Sequence, residues 1–223
     1  MPTRVFLDYA DPWINWEWLS THVTLVLGAL GEHVELTAIA VGVGLVISVP
    51  LGVLANRVRP ARLVALAFFG AFYTIPSVAL FALLIPFTGL SGTTAEIPLI
   101  GYVVLILLRN VLVGLDGVPR DVLDAADGMG YRSIARLLRV ELPLALPSIF
   151  AGLRVATVST IGIVTITAVI GLGGLGALIY KGLIESFHTP LVVATVLSIA
   201  LALVADLAIA GAQRIAVPWA RPG

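Results

Sequence analysis

Long apolar runs alternate with short polar interruptions along this chain, and the lengths of the runs decide its class. A helix rising 1.5 Å per residue needs about 20 mostly apolar residues to cross a hydrocarbon core of about 30 Å. Five stretches have that length, at about residues 34–56, 62–88, 97–115, 149–170 and 189–212. Pro76 in the second removes a backbone donor and predicts a kink or a break. The third spans only with Arg109 and Asn110 near one end, the fifth contains Asp206, and the fourth continues to residue 180 through a glycine-rich part. Ahead of them the apolar segment 19–31 is thirteen residues long, with Trp13, Trp16 and Trp18 crowded before it. Tryptophan favours the headgroup zone, so residues 16–31 are predicted to lie in the interface as a helix and not to form a sixth span. The expected fold is an all-α membrane protein of about five transmembrane helices plus this interfacial helix, in a single domain over 1–223.

Composition removes the soluble alternatives. Of the 223 residues 59% are hydrophobic and 12% charged, with a mean hydropathy of +1.07. Soluble domains carry about 25% charge, so this chain cannot cover a water-facing surface, and its excess apolar area must face lipid. With no cysteine, disulfides, thiol catalysis and cysteine metal sites are excluded. His22, His33 and His188 lack ligand spacing and read as interfacial or loop residues. The opening MPTRVFLDYADPW does not resemble a secretory signal, so insertion is expected to rely on the internal apolar segments. The tail after Asp206 is too short to fold as a regulatory domain.

Net charge is zero, yet the basic residues segregate. Arg57, Arg59 and Arg62 fill the first short loop; Arg120, Arg132, Arg136, Arg139 and Arg154 fill or flank the longest; Arg214 and Arg221 lie in the tail. Five spans place all of these on one side, opposite Arg4 and Lys181. The positive-inside rule then makes the crowded side cytoplasmic, with the N-terminus outside and the C-terminus inside. Within the first span Ala40, Gly44, Ser48 and Gly52 recur every four residues, a stripe that admits a close neighbouring backbone.

The cytoplasmic loop 116–148 carries the most specific pattern. Pro119 suits a first helical turn, and Gly128 and Gly130 stop that helix after about two turns. A second helix is expected from Ser133 as N-cap to Leu142, ended by Pro143, completing a helical hairpin. Ile134, Leu137 and Leu138 would share one face of it, and Arg132, Arg136 and Arg139 the other. Ala125 and Ala126 offer small side chains at a protruding turn, suited to docking in a groove of another protein; a hairpin without a partner is the other reading of the same residues.

The spacing of Asp124, Ala125 and Ala126, then Gly130, then Val140, Leu142 and Pro143 resembles the EAA loop of ABC importer permeases, E-A-A-x3-G-x9-I-x-L-P. Asp124 stands for the usual Glu and Val140 for the usual Ile. Similarity extends from about residue 25 to 206: the runs TIPSVALFALLIP, LRNVLVGLDGVP and AVIGLGGLGALI resemble the permeases for quaternary-ammonium osmoprotectants (glycine betaine, choline, carnitine, proline betaine). Methionine-type permeases share the size and the loop and are the nearest rival, so import of methionine or another amino acid is the alternative reading. The resemblance implies a type I ABC importer permease-like fold in a bacterial inner membrane. It also implies that Asp124, Ala125, Ala126, Gly128, Met129, Gly130, Arg132, Leu142 and Pro143 couple to a separate ATPase. A second permease, identical or paralogous, and an extracytoplasmic binding protein complete the implied assembly. Because no G-x-x-x-x-G-K-[ST] occurs, ATP and Mg²⁺ are expected on the ATPase, with no cofactor, metal or nucleic acid held by this chain.

Candidates for the translocation path are Tyr73, Thr74, Pro76 and Ser77, then Asn110, then Thr160 and Thr165, with Thr157, Ser159 and Thr167 beside them. A hydroxyl on a membrane helix more often bonds its own backbone or a neighbouring helix. Arg109 and Asp206 are costly inside a bilayer, which snorkelling or mutual pairing would relieve. No aromatic cage for a quaternary ammonium stands in the spans, so cation–π recognition would belong to the binding protein. GLGGLG at 171–176 fits the dinucleotide pattern G-x-G-x-x-G but follows a membrane helix, with no acidic residue about twenty positions on; it reads as irregular backbone near the outer mouth. A secondary transporter or channel is the rival class, but no internal repeat supports it, and no catalytic constellation sits in the spans.

Overall fold

The computed structural model describes residues 12–220, and the regular elements among them are all helical. They are α1 (Trp16–Thr21), α2 (Val23–Arg57), α3 (Arg59–Thr74), α4 (Ser77–Thr88), α5 (Gly92–Asp116), α6 (Arg120–Gly128), α7 (Ser133–Arg136), α8 (Leu142–Val164), α9 (Leu175–Ile184) and α10 (His188–Ala216). A π-helical turn, Leu137–Glu141, joins α7 to α8, and a 3₁₀ segment, Thr165–Ile170, tightens the end of α8. Three continuous helices qualify as spans by length and apolarity, α2, α5 and α10, together with the run Ser133–Ile170; α3 and α4 add a fifth if counted as one span bent by 97°. Arg4 and Arg221, which entered the charge count, lie outside the described residues, as does the segment 1–11.

Helix α5 is the centre of the bundle. Leu99, Val103, Leu107, Leu108 and Val111 are fully buried on different sides of it, because α2, α3, α4 and α8 all pack around it. The stripe Ala40, Gly44, Ser48, Gly52 is buried against α5. A Cβ at Gly44 would strike Val103, and one at Gly52 would strike Val111, so the glycines set how closely the two helices approach. Ser48 Oγ donates to the Gly44 carbonyl at 2.6 Å and lies 3.3 Å from that of Val104. On the opposite side α8 meets α5 where Gly114 faces Ala145 and Gly152 faces Asn110. Helix α10 buries little of its surface in the bundle.

Three expectations about the elements need correction. Residues 16–31 do not form a separate interfacial helix: only Trp16–Thr21 stands apart, and Val23 onward belongs to α2, whose 35 residues extend about 52 Å. The polar group Glu32, His33, Glu35 cut the apolar run in the sequence but not the helix, because two of them make tertiary hydrogen bonds. His33 is fully buried with Nε2 3.0 Å from the Ile161 carbonyl oxygen, not interfacial or in a loop, and Glu32 accepts the Gly174 N–H at 2.8 Å. Short α1 is pinned to the start of α10, where the Asn15 N–H donates to Thr189 Oγ1 at 2.8 Å and Trp18 meets Phe187 edge-on.

The second correction concerns the hairpin. Ser133 is the first helical residue, with Arg132 as N-cap, and the helix does not end at Pro143. It widens into the π turn and runs on as α8, with Pro143 in the first turn of α8, where the irregular hydrogen bonding of the wide turn absorbs its missing donor. The two faces are also not as expected: Ile134 and Leu138 are exposed, and Arg136 turns inward. Third, Arg154 does not flank the loop but lies within α8, and it is the partner of Asp206, with Nε and Nη2 at 2.7 and 2.6 Å from the carboxylate. Asp206 is therefore relieved by pairing, though not with Arg109, which is exposed and forms no ion pair among the described residues.

Candidate functional site

Helix α6 stands off the bundle between the end of α5 and the start of α7. Buried Val118 anchors its approach, and Pro119, in extended conformation, occupies the N-cap. Gly130 ends it: with φ at +81° it takes the left-handed conformation that L side chains avoid, while the Tyr131 N–H reaches back to the Ala126 carbonyl at 3.1 Å. The stop therefore belongs to Gly130, while Gly128 remains helical with open space around it.

This geometry divides the predicted coupling residues. Asp124, Ala125, Gly128, Met129, Gly130 and Arg132 are exposed, Met129 to 70%. Ala126 is buried beneath α6, so its small size serves packing of the helix on its own protein. Leu142 packs among Val111, Leu115, Ala145 and Ile149, and Pro143 opens α8; these two belong to the seat of the loop and not to its outer surface. Exposed Ile134 and Leu138, one turn apart, add apolar surface that the expected facing had turned inward.

Under α6 lies an ion-pair network that the sequence reading missed. Glu141, on the π turn, is 3% exposed; both of its oxygens accept from Arg57 Nη2 at 2.6 Å, and Oε1 also accepts from Arg136 Nε at 3.0 Å. Arg136 in turn pairs with Asp127 of α6. Nearby, Asp116 at the end of α5 accepts from Asn56 at 2.8 Å and from Arg62 Nη2 at 2.7 Å. The ends of α2 and α5, the start of α3 and the loop are thus held together at the arginine-rich end of the bundle.

The predicted path residues fall into separate places. Tyr73, Thr74, Pro76 and Ser77 cluster at the break between α3 and α4, where Tyr102 of α5 donates to the Ile75 carbonyl at 2.7 Å and meets the Tyr73 ring edge-on. Asn110 lies at the close contact with Gly152 and donates to the Ile106 carbonyl at 2.8 Å. Thr160 and Thr165 donate to the Ala156 and Gly162 carbonyls at 2.7 Å each; Thr157 and Thr167 likewise bond their own helix. Ser159 instead lines a recess of about 410 Å³ with Arg154 and Asp206.

None of the predicted path residues lines a second cavity of about 580 Å³, whose walls include Glu32, Glu35 and Glu96 with Leu36, Ile39, Ile100 and Leu172. Both oxygens of Glu96 are buried there without a hydrogen-bond partner. The three carboxylates come from α2 and α5, far apart in the sequence, and only their spacing of three within 32–35 could have marked one helix face. The GLGGLG segment forms part of the same wall. Gly171 and Gly174 adopt φ of +75° and +77°, and a Cβ at Gly173 would strike the Glu32 carboxylate. Its irregular backbone is satisfied by protein at this point, through the Gly174 N–H bond to Glu32.

Comparison with known proteins agrees with this architecture. The chain is 38% identical over 165 residues to the glycine betaine/carnitine/choline transport system permease protein OpuCB of Bacillus subtilis, covering 74% of this chain and 76% of that protein. It is 38% identical over 192 residues to the osmoprotectant import permease protein OsmW of Salmonella typhimurium, covering 84% and 89%. The ergothioneine transport permease/ergothioneine binding protein EgtU of Helicobacter pylori is 41% identical over 157 residues, 70% of this chain but 28% of that longer protein. In fold it matches an inward-facing structure of the MetNI methionine ABC transporter with a TM-score of 0.77 at 24% identity, covering 88% of this chain and 98% of that one. Residues 44–214 match the family described as binding-protein-dependent transport system inner membrane component, and with the bundle and loop just described the chain belongs to that family of multi-pass membrane transport components.

Proposed function

We propose that this chain is the membrane-spanning subunit of an ATP-driven, binding-protein-dependent importer for quaternary-ammonium osmoprotectants of the glycine betaine, carnitine and choline kind. The observation that carries the coupling half of this reading is α6, a two-turn helix stopped by a left-handed glycine, with Asp124, Ala125 and Met129 exposed on an arginine-rich end. Such a helix fits a cleft on a separate ATPase. In this reading that end is cytoplasmic, the N-terminus is outside and the C-terminus inside. ATP and Mg²⁺ bind the ATPase, this chain binds no cofactor of its own, and closure of two ATPases rocks two permeases between inward- and outward-open states. An extracytoplasmic binding protein delivers the substrate.

Support for the substrate class comes from the names of the relatives and from the chemistry of the carboxylate-lined cavity. Glycine betaine, carnitine, choline and ergothioneine all carry a trimethylammonium group, a diffuse cation with an apolar surface. Aliphatic walls with a few carboxylates complement such a group without holding it tightly, which suits a waypoint. High-affinity cation–π recognition then belongs to the binding protein. The test is uptake into proteoliposomes containing this chain, the ATPase and the binding protein, comparing radiolabelled choline and glycine betaine with methionine. ATP-dependent uptake of the quaternary ammonium compounds is expected; ATP-independent transport by this chain alone, or preference for methionine, refutes the reading.

A further inference from the structure

Helix α6 is joined covalently only to α5 and, through α7, to α8. Its ion pairs reach further. Asp127 of α6 pairs with Arg136, Arg136 with Glu141, and Glu141 with Arg57 at the end of α2. We infer that Glu141 is a positioning residue of the coupling machinery, tying the movement of α6 to α2 as well as to α8; this rests on the reading of α6 as the ATPase-coupling helix.

The π turn explains how the tie is made. Arg136 and Glu141 are five residues apart, a spacing that points away from a common face in an α-helix, where neighbours are three and four apart. In the turn Leu137–Glu141 the Leu142 N–H bonds the Leu137 carbonyl five residues back, and this wider turn brings residues five apart onto one side. The Arg136–Glu141 contact therefore exists because the helix is widened at this point. Glu141 is also nearly inaccessible, so its charge is tolerable only while guanidinium groups surround it. Arg57 supplies one from α2 and Arg136 the other from the loop. A shift of α6 that carries Arg136 with it must carry Glu141 and Arg57 too, or leave a buried carboxylate short of a partner. Helix α2 lies along α5 through its small-residue stripe, so displacement of its Arg57 end reaches the centre of the bundle.

The test uses the assembled importer of permease, ATPase and binding protein in proteoliposomes, and reads substrate transported per ATP hydrolysed. Glu141→Gln is expected to keep the ATPase bound while that ratio falls about fivefold or more. Asp127→Asn alters a half-exposed carboxylate at the other end of the chain of pairs, folds without a buried charge to compensate, and is expected to lower the ratio in the same direction. The double variant Arg57→Met, Glu141→Met removes the buried carboxylate together with its partly exposed partner; it should regain thermal stability without regaining the ratio. An unchanged ratio in Glu141→Gln or Asp127→Asn, or full recovery of coupling in the double variant, overturns the inference and leaves the importer reading standing. Transport by the unaltered chain without the ATPase overturns the importer reading itself and the inference with it.

Discussion

Two glycines two residues apart on α2 offer a test of how the bundle is held together. Gly44 and Gly42 both lie in the interior of the same 35-residue helix, so replacing either by alanine brings the same intrinsic gain, about 0.8 to 1 kcal/mol. Their surroundings differ. A Cβ at Gly42 meets nothing within 4 Å, whereas at Gly44 it would lie 2.9 Å from the Val103 Cβ and closer still to Cγ1, on a side chain with no exposed surface. Such overpacking costs about 1 to 3 kcal/mol, because α2 and α5 must separate or Val103 must leave its rotamer. For a chain of this size each kcal/mol moves the midpoint by about 2 to 4 °C, so Gly44→Ala should melt about 2 to 12 °C below Gly42→Ala. Thermal challenge in detergent followed by size-exclusion chromatography reads this difference. Adding Val103→Ala removes Cγ1 and should return part of the loss, a departure from additivity of about 0.5 to 3 kcal/mol. Equal melting of the two alanine variants, or strict additivity with Val103→Ala, refutes the claim that the stripe sets the α2–α5 distance.

Further outcomes follow from the loop, the break and the intramembrane pair. Gly130→Ala places an L residue at φ +81°, at a cost of about 1 to 2 kcal/mol, and should weaken co-purification of the ATPase and lower the melting midpoint by about 2 to 8 °C. Ala125→Trp should abolish ATPase association in an otherwise folded permease, whereas Ala126→Trp should also lower the melting temperature, since only Ala126 is buried. Tyr102→Phe removes the 2.7 Å bond to the Ile75 carbonyl and should cost about 1 kcal/mol in thermal stability, read by the same chromatographic challenge. Asp206→Asn leaves Arg154 without its carboxylate and should lower stability in liposomes, and replacing both by apolar residues should recover it; failure of the double replacement to recover would show that the pair has a further task.

Periodicity and composition were enough to establish the class of this protein. Run length alone marks helices long enough to cross a bilayer, because the hydrocarbon thickness imposes that length on any spanning helix. The stripe at 40, 44, 48 and 52, the bend at Pro76 and the glycine stop after α6 were legible too, since each depends on local backbone geometry or the absence of a side chain. Asp124, Ala125 and Gly130 kept a recognisable spacing for the same reason: a short exposed helix with a fixed stop has a fixed spacing.

What the sequence could not supply was which polar groups find partners across the fold. Glu32 and His33 looked like the end of an apolar segment, yet each finds a hydrogen-bond partner more than 120 positions away, at Gly174 and Ile161, and α2 runs on. Glu141 filled an unspecified position in a loop pattern, and only the meeting of α2 with a widened helical turn made it a buried hub between two arginines. Likewise Asp206 found Arg154 and not Arg109, and three glutamates on two helices came to line one cavity. Burial in a low-dielectric interior makes the placement of each charge costly unless a partner stands within hydrogen-bond reach, and that reach is a property of the folded chain.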